Sequence, residues 1–264
     1  MLKIMETFGL NGVMMTIENI DERTMSGGLG GSATVSTSVA ILAAHLSGIK
    51  LSNAQIVSLA SVYENDLGVS LTGTQEQWNV VRGGIADHVW FPFGRPGLDT
   101  GYGDAVVRTL LQPGQYGEVR PHMALLHSGR MHASKTVNRE WLRKIKAAAG
   151  YKDYATLLPL AYDFAEAVRT KDWGKAAETI EKYRAIRTML CGEYMYASEW
   201  LHEIASRNKT VIFPLGAGGG GVCLNFGDTP DAVESTVAEV RAVHPERVID
   251  FSLREKGHIL ENVS

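Results

Sequence analysis

The stretch "TMSGGLGGSATVSTSVAILAAHL", Thr24 to Leu46, decides how the chain is read. Four of the five residues from Gly27 to Gly31 are glycine, a serine follows, and Ala33 to Ser47 is small, apolar and helical in character. Glycine at that density does not fill a core. It permits φ > 0 and lets another group come close to the backbone, at an entropic cost. The preceding "GVMMTIENI", Gly12 to Ile20, has strand character. A strand, a glycine loop and a helix N-terminus in that order make an anion site. The first-turn N–H groups have no internal partners, and the helix dipole adds positive potential at that end. The loop Gly27 to Ser32 suits a phosphate, whose close approach a Cβ would block.

Two phosphate-loop patterns compete for this stretch. The Walker A pattern fails, because no Gly-Lys-Ser/Thr ends the loop. The dinucleotide fingerprint is nominally met by Gly28, Gly30 and Ala33. It also requires a second strand ending in an acid about 20 residues on, and the chain has "SGIKLSNAQ" there, a loop between two helices. A second glycine loop, Gly216 to Gly221, matches the same spacing but leads into the strand "VCLNF". A hairpin tip cannot present a helix dipole. It can present a smooth backbone wall, and five glycines in six residues exceed what a turn needs.

Composition narrows the classes. With 264 residues, 45% of them hydrophobic, the chain can bury a sizeable core in one large domain or two small ones. A net charge of −3 leaves no basic footprint for nucleic acid or an anionic membrane. No apolar run approaches a membrane span. The densest basic cluster, "NREWLRKIK" (Asn138 to Lys146), reads as the solvated face of an amphipathic helix. Cys191 and Cys223 are too few for a disulfide framework, and no signal peptide is seen, so a reducing cytoplasm is expected.

Along the chain, "LSNAQIVSLASVYENDLG" (Leu51 to Gly68) reads as a helix capped by Ser52 or Asn53 and closed by Gly68. The polar "TGTQEQWNVVRGG" leads to "IADHVWFPFG", read as a strand, and Gly94 to Gly103 is a loop. From His122 the order is strand "HMALLHS", a helix over Ala133 to Ala149, and two or three helices over Tyr154 to Arg207. Strands "TVIFPL" and "VCLNFG" then flank the second glycine loop. A helix follows, with Thr229 as cap and Pro230 at its first position, and "ERVIDFSLR" closes as a strand. That is a β-α-β-β-α-β, ferredoxin-like order with extra helices. Two domains are expected, dividing near residues 115–121.

Between the glycine loops, Glu64 near the end of the second helix and Glu76 in "TGTQEQ" are carboxylate candidates. Phosphoryl transfer needs groups that hold Mg²⁺ and a carboxylate that orients or deprotonates the attacking hydroxyl. The Ser32 hydroxyl is a natural ligand for such an ion. The plain alternative for each glutamate is a solvated surface residue.

The motifs together resemble a family. "SGGLGGSA" is similar to the second motif of the GHMP kinases (galactokinase, homoserine kinase, mevalonate kinase, phosphomevalonate kinase), Pro-x-x-x-Gly-Leu-Gly-Ser-Ser-Ala. "LGAGGGGVCL" resembles their third motif, on a hairpin near the C-terminus. "GTQEQWNVVRGG" and "LLHSGRMHASK" look like segments of the fucokinase and heptose-7-phosphate kinase branch. The resemblance implies an α+β chain of two domains. Residues 1–118 would be a domain like that of ribosomal protein S5 domain 2, and 119–264 the ferredoxin-like GHMP C-terminal domain. It also implies ATP and Mg²⁺, and γ-phosphoryl transfer to a small-molecule sugar or sugar-phosphate hydroxyl, anomeric in this branch.

Carried over by motif position, Gly28, Leu29, Gly30, Gly31 and Ser32 would cradle the triphosphate, with Gly216, Ala217, Gly218, Gly219 and Gly220 flanking it. Ser32 and Glu64 would share the metal, and Glu76 would stand at the catalytic aspartate. Arg130 is a candidate for a sugar phosphate, or for a salt bridge at a helix start. Trp78 and Trp90 are expected in the core.

Departures accompany the match. Thr24 stands at the motif's proline and Gly31 at its first serine; Glu76 is one methylene longer than aspartate. An added reach of about 1 Å can cost on the order of 100-fold where geometry is tight. The family's first motif and the strands around it have no counterpart before the glycine loop. Met1 is therefore read as an internal or misassigned start, or the product of a truncated gene. An unpaired sheet edge would invite association, so a homodimer or the missing N-terminal segment is an expected partner. Two readings stay open: a sugar kinase, or a degenerate nucleotide- or sugar-binding module derived from one.

Overall fold

The computed structural model describes residues 2–18, 28–66, 73–90, 105–130, 134–146, 152, 154–192, 197–258 and 260. Thr24, Gly27, Gly68, the 94–103 loop, and residues 131–133 and 147–150 lie outside these. The chain divides into two units. The first comprises Met1–Glu18, Ser32–Pro113 and Arg254–Ser264; the second comprises Asn19–Gly31 and Gly114–Leu253.

In the first unit, helix α1 (Leu2–Thr7) precedes α2 (Gly31–Leu46), α3 (Asn53–Asp66) and α4 (Gln75–Arg82). Small residues Ala33, Ala40, Ala43 and Ala44 are buried along α2, so neighbouring helices can approach its backbone. Val39, Ile41, Ile56, Val57 and Val81 close a core with Ile4 and Met5, and Trp78 packs against it. Ser52 caps α3 reciprocally: Gln55 N–H donates to Ser52 Oγ at 3.3 Å, and Ser52 N–H donates to Gln55 Oε1 at 2.9 Å. α4 stops at Gly83, where φ is +67° and a Cβ would come within 2.5 Å of the Lys256 and Gly257 backbone. Strands β1 (Ile85–Trp90) and β2 (Ala105–Leu111) pair antiparallel as a two-stranded sheet.

The strand expected over Gly12 to Ile20 is not found among the described residues 12–18. Val13, Met14 and Ile17 are exposed instead. Their β propensity meets no ladder among the described residues, and a strand exists only where its N–H and C=O groups are paired.

In the second unit, a short helix α5 (Tyr116–Val119) leads to β3 (Met123–His127). Helices α6 (Ser134–Lys146), α7 (Leu157–Thr170), α8 (Trp173–Cys191) and α9 (Glu199–Arg207) follow. Then come β4 (Thr210–Pro214), β5 (Val222–Gly227), α10 (Pro230–Val243) and β6 (Val248–Ile249). The sheet order β4-β5-β3-β6, antiparallel throughout, is ferredoxin-like. The α+β fold class thus stands.

One face of this sheet carries Leu126, Ile212 and Cys223 against Leu201, Ile204 and Val240. The other carries Phe226 against Phe164 of α7, and Phe213 against Tyr183 of α8. Thr229 accepts from Ala232 N–H at 3.3 Å, with Pro230 opening α10. The closing strand is shorter than expected, because a 3₁₀ turn takes Pro245–Arg247 and leaves only Val248 and Ile249 to pair with β3. No helix among the described residues is long and apolar enough to cross a membrane.

Candidate active site

In the first unit, three side chains converge on one carboxylate. Ser32 Oγ donates to Glu64 Oε1 at 3.0 Å, Ser36 Oγ donates to the same oxygen at 2.8 Å, and Gln77 Nε2 donates to Oε2 at 3.1 Å. Ser32 and Ser36 are four residues apart in the first turns of α2, hence on one face of it. Glu64 arrives from the end of α3, and Gln77 from the first turns of α4. Glu64 is only 3% exposed and Gln77 fully buried. A buried carboxylate normally finds a cation or several donors; Glu64 has the donors and no cationic partner among the described residues. Glu76 is the chain neighbour of Gln77 and lies half-buried in the first turn of α4.

In the second unit, the 216–221 loop is the tip of the β4–β5 hairpin. Gly218 N–H closes it on Leu215 O at 3.2 Å, and Gly221 N–H donates to Arg130 O at 2.8 Å. Gly216 has φ of +59°, and a Cβ there would lie 2.8 Å from the Gly28 carbonyl oxygen, so only glycine lets these two loop segments meet. Beneath the tip, Arg187 Nη2 donates to Gly216 O at 3.2 Å and Trp141 Nε1 to Ala217 O at 3.1 Å. The Arg187 guanidinium lies 4.9 Å from the Trp141 ring centroid and 5.3 Å from that of Phe213. Burial draws its pKa down and the nearby Tyr183, Tyr154 and Cys191 act the other way; burial also pushes the Tyr154 hydroxyl and the Cys191 thiol up.

The chain resembles a D-glycero-D-manno-heptose 1-phosphate kinase from Bacteriodes thetaiotaomicron, with a TM-score of 0.59 and 18% identity over 90% of this chain and 65% of that one. It resembles Lactococcus lactis galactokinase complexed with galactose, at 0.59 and 14% over 88% of this chain and 66% of that one. L. major mevalonate kinase in complex with R-mevalonate gives 0.57 and 14%, over 83% of this chain and 63% of that one. At such identities the likeness is one of fold. A family model, GHMP kinases N terminal domain, matches residues 1–84. No curated protein matches the chain. It spans about two thirds of the length of these solved structures.

Within this GHMP fold, the expected residues fall as follows. Ser32 and Glu64 are in direct contact. Gly28, Leu29 and Gly30 precede α2, and Gly31 is its first residue. A Cβ at Gly31 would meet nothing within 4 Å, so the family's serine is not missing there for want of room. Residues 216–220 occupy the hairpin tip. Arg130 is exposed; its carbonyl holds the hairpin, and its guanidinium makes no ion pair among the described residues. Trp78 is half-buried and packs against the core, as expected; the side chain of Trp90 lies outside the described set.

Four residues were not anticipated: Ser36, Gln77, Trp141 and Arg187. Ser36 was readable as the i+4 partner of Ser32, and Gln77 as the neighbour of Glu76. Trp141 sits inside the basic "NREWLRKIK" run, on its buried side.

Proposed function

We propose that the chain is an ATP-dependent small-molecule kinase that transfers the γ-phosphoryl group to a sugar or sugar-phosphate hydroxyl, the anomeric one of a heptose-7-phosphate or fucose type of acceptor. The reading rests on one observation above the others: a buried, uncharged-partner carboxylate, Glu64, tied to Ser32 at the N-terminus of the helix that follows a glycine loop.

The first-turn N–H groups of α2 and the backbone of 28–31 receive the triphosphate, the helix dipole favouring its charge. The 216–220 backbone flanks it. Mg²⁺ fits Ser32 and Glu64, because this ion takes one or two protein oxygens and draws its other ligands from water and substrate phosphates. When bound, it supplies charge neutralisation across the transferring phosphoryl group. Ser36 and Gln77 hold the Glu64 carboxylate in orientation. Glu76 accepts the acceptor hydroxyl's proton as the new O–P bond forms and the bond to the leaving ADP breaks.

The test is ADP release by the purified chain with Mg²⁺ and ATP across a panel of sugars and sugar phosphates. The expected result is turnover with at least one. In Glu76→Gln, ATP binding should persist while turnover falls by about 10²–10⁴-fold; unchanged turnover removes Glu76 from the role. Glu76 for aspartate gives the second reading its footing. If ATP binds tightly and no ADP forms with any acceptor, the chain is a binding module built on a kinase fold.

A further inference from the structure

The second glycine loop carries more unused backbone donors than a turn needs. The N–H groups of Gly216, Ala217, Gly219 and Gly220 have no acceptor among the described residues; within the loop only Gly218 and Gly221 donate. Its carbonyls are in the opposite situation. Gly216 O and Ala217 O are both taken from below, by Arg187 and Trp141. Because a trans peptide is planar, its C=O and N–H point in opposite directions. Drawing the Gly216 carbonyl toward Arg187 therefore turns the Ala217 N–H away from it. Drawing the Ala217 carbonyl toward Trp141 turns the Gly218 N–H away, where it closes the turn on Leu215.

We propose that Arg187 and Trp141 are positioning residues that clamp the 216–221 loop in its anion-receiving conformation. The chemistry of the two suits the task. Trp141 is 7% exposed, has one donor, and spends it on the loop. Arg187 is 9% exposed and has no carboxylate partner among the described residues; the Trp141, Tyr183 and Phe213 rings surround its guanidinium. Aromatic faces and a carbonyl offset the burial of the cation without cancelling its charge. A carboxylate there would cancel it, and would repel an anion above the loop. A cation beneath five glycines in six residues keeps the loop both shaped and electropositive.

The clamp rests on the kinase reading for the identity of the anion, the ATP phosphates, but not for its effect on the loop. Two variants test it in the full chain. Trp141→Phe keeps the ring and removes only the Nε1 donor. Arg187→Met keeps the stem and removes charge and donor together. Amide hydrogen exchange over 215–221, without nucleotide, should accelerate in both while the α10 peptides stay as in the parent. ATP affinity by calorimetry should fall about 2–10-fold in Trp141→Phe and about 10–100-fold in Arg187→Met, as for a neutral and a charged donor. Arg187→Lys should recover part of it. Exchange over 215–221 that matches the parent in both variants overturns the clamp, and so does unchanged ATP affinity in both. A parent chain that does not bind ATP at all counts against the kinase reading instead, and the exchange measurement still decides the clamp.

Discussion

Glu64 in the first unit and Arg187 in the second are both buried and both charged, and neither has an ion-pair partner among the described residues. They are accommodated in different ways. Glu64 is held by three side-chain donors, two hydroxyls and an amide, all from helices. Arg187 is held by one backbone carbonyl and a set of aromatic faces. The carboxylate's partners are side-chain donors, whose hydrogen bonds a cation can replace. Two of the guanidinium's partners, the Gly216 carbonyl and the Phe213 ring, cannot move without deforming the hairpin. The difference separates a group arranged to exchange ligands from a group arranged to fix a backbone.

The largest expected effect breaks the Glu64 side of that comparison. Glu64→Gln should lower turnover by about 10²–10³-fold, the scale for loss of one preorganised charge-stabilising group, while the melting temperature stays near that of the parent. The fold should tolerate it because Gln77 Oε1 is buried with no partner among the described residues, so the Gln77 amide can flip and accept from the new one. A variant that keeps full turnover would make Glu64 a structural residue. Next in size, Gln77→Leu strips one donor from Glu64 Oε2. Leaving a buried charged oxygen without it should cost about 1–3 kcal/mol, read as a melting temperature lower by roughly 2–10 °C. No shift would mean that Ser32 and Ser36 suffice.

The two sides were not equally legible in the sequence. The glycine loop followed by a helix is a local pattern, and the helix begins at Gly31, two residues before the expected Ala33. Glu64 and Ser32 were joined by resemblance to a motif set; nothing in the spacing of 32 residues announces their contact. Ser36 follows from helical periodicity once Ser32 matters. Arg187 was hidden for a physical reason. Its polar partner is a carbonyl 29 residues on, and any residue can supply a carbonyl, so no side-chain pattern marks the pair. The misread strand at Gly12 has the converse cause, since propensity is local and pairing is not. The ferredoxin-like order was readable because each of β3, β4 and β5 carries its own apolar run, whereas β6 is cut to Val248 and Ile249 by the Pro245 turn.

The smallest expected effect sharpens the comparison by supplying a buried polar group with no hydrogen-bond partner among the described residues. Asn225 on β5 is fully buried, and neither its Oδ1 nor its Nδ2 has a partner among the described residues. Its register partners are Ala124 on β3 and Ile212 on β4, so its side chain shares their face of the sheet, the one packed by Leu201, Ile204 and Val240. Unlike Glu64 and Arg187 it carries no charge, and both of its polar atoms are desolvated without return. Asn225→Leu, close in volume, should therefore stabilise the chain by about 1 kcal/mol and raise the melting temperature by roughly 2–4 °C, with ATP turnover unchanged. Loss of stability would mean that the amide is satisfied by ordered water inside the sheet face. A gain would mark Glu64 and Arg187 as the buried polar groups the fold has equipped, and Asn225 as one it merely carries.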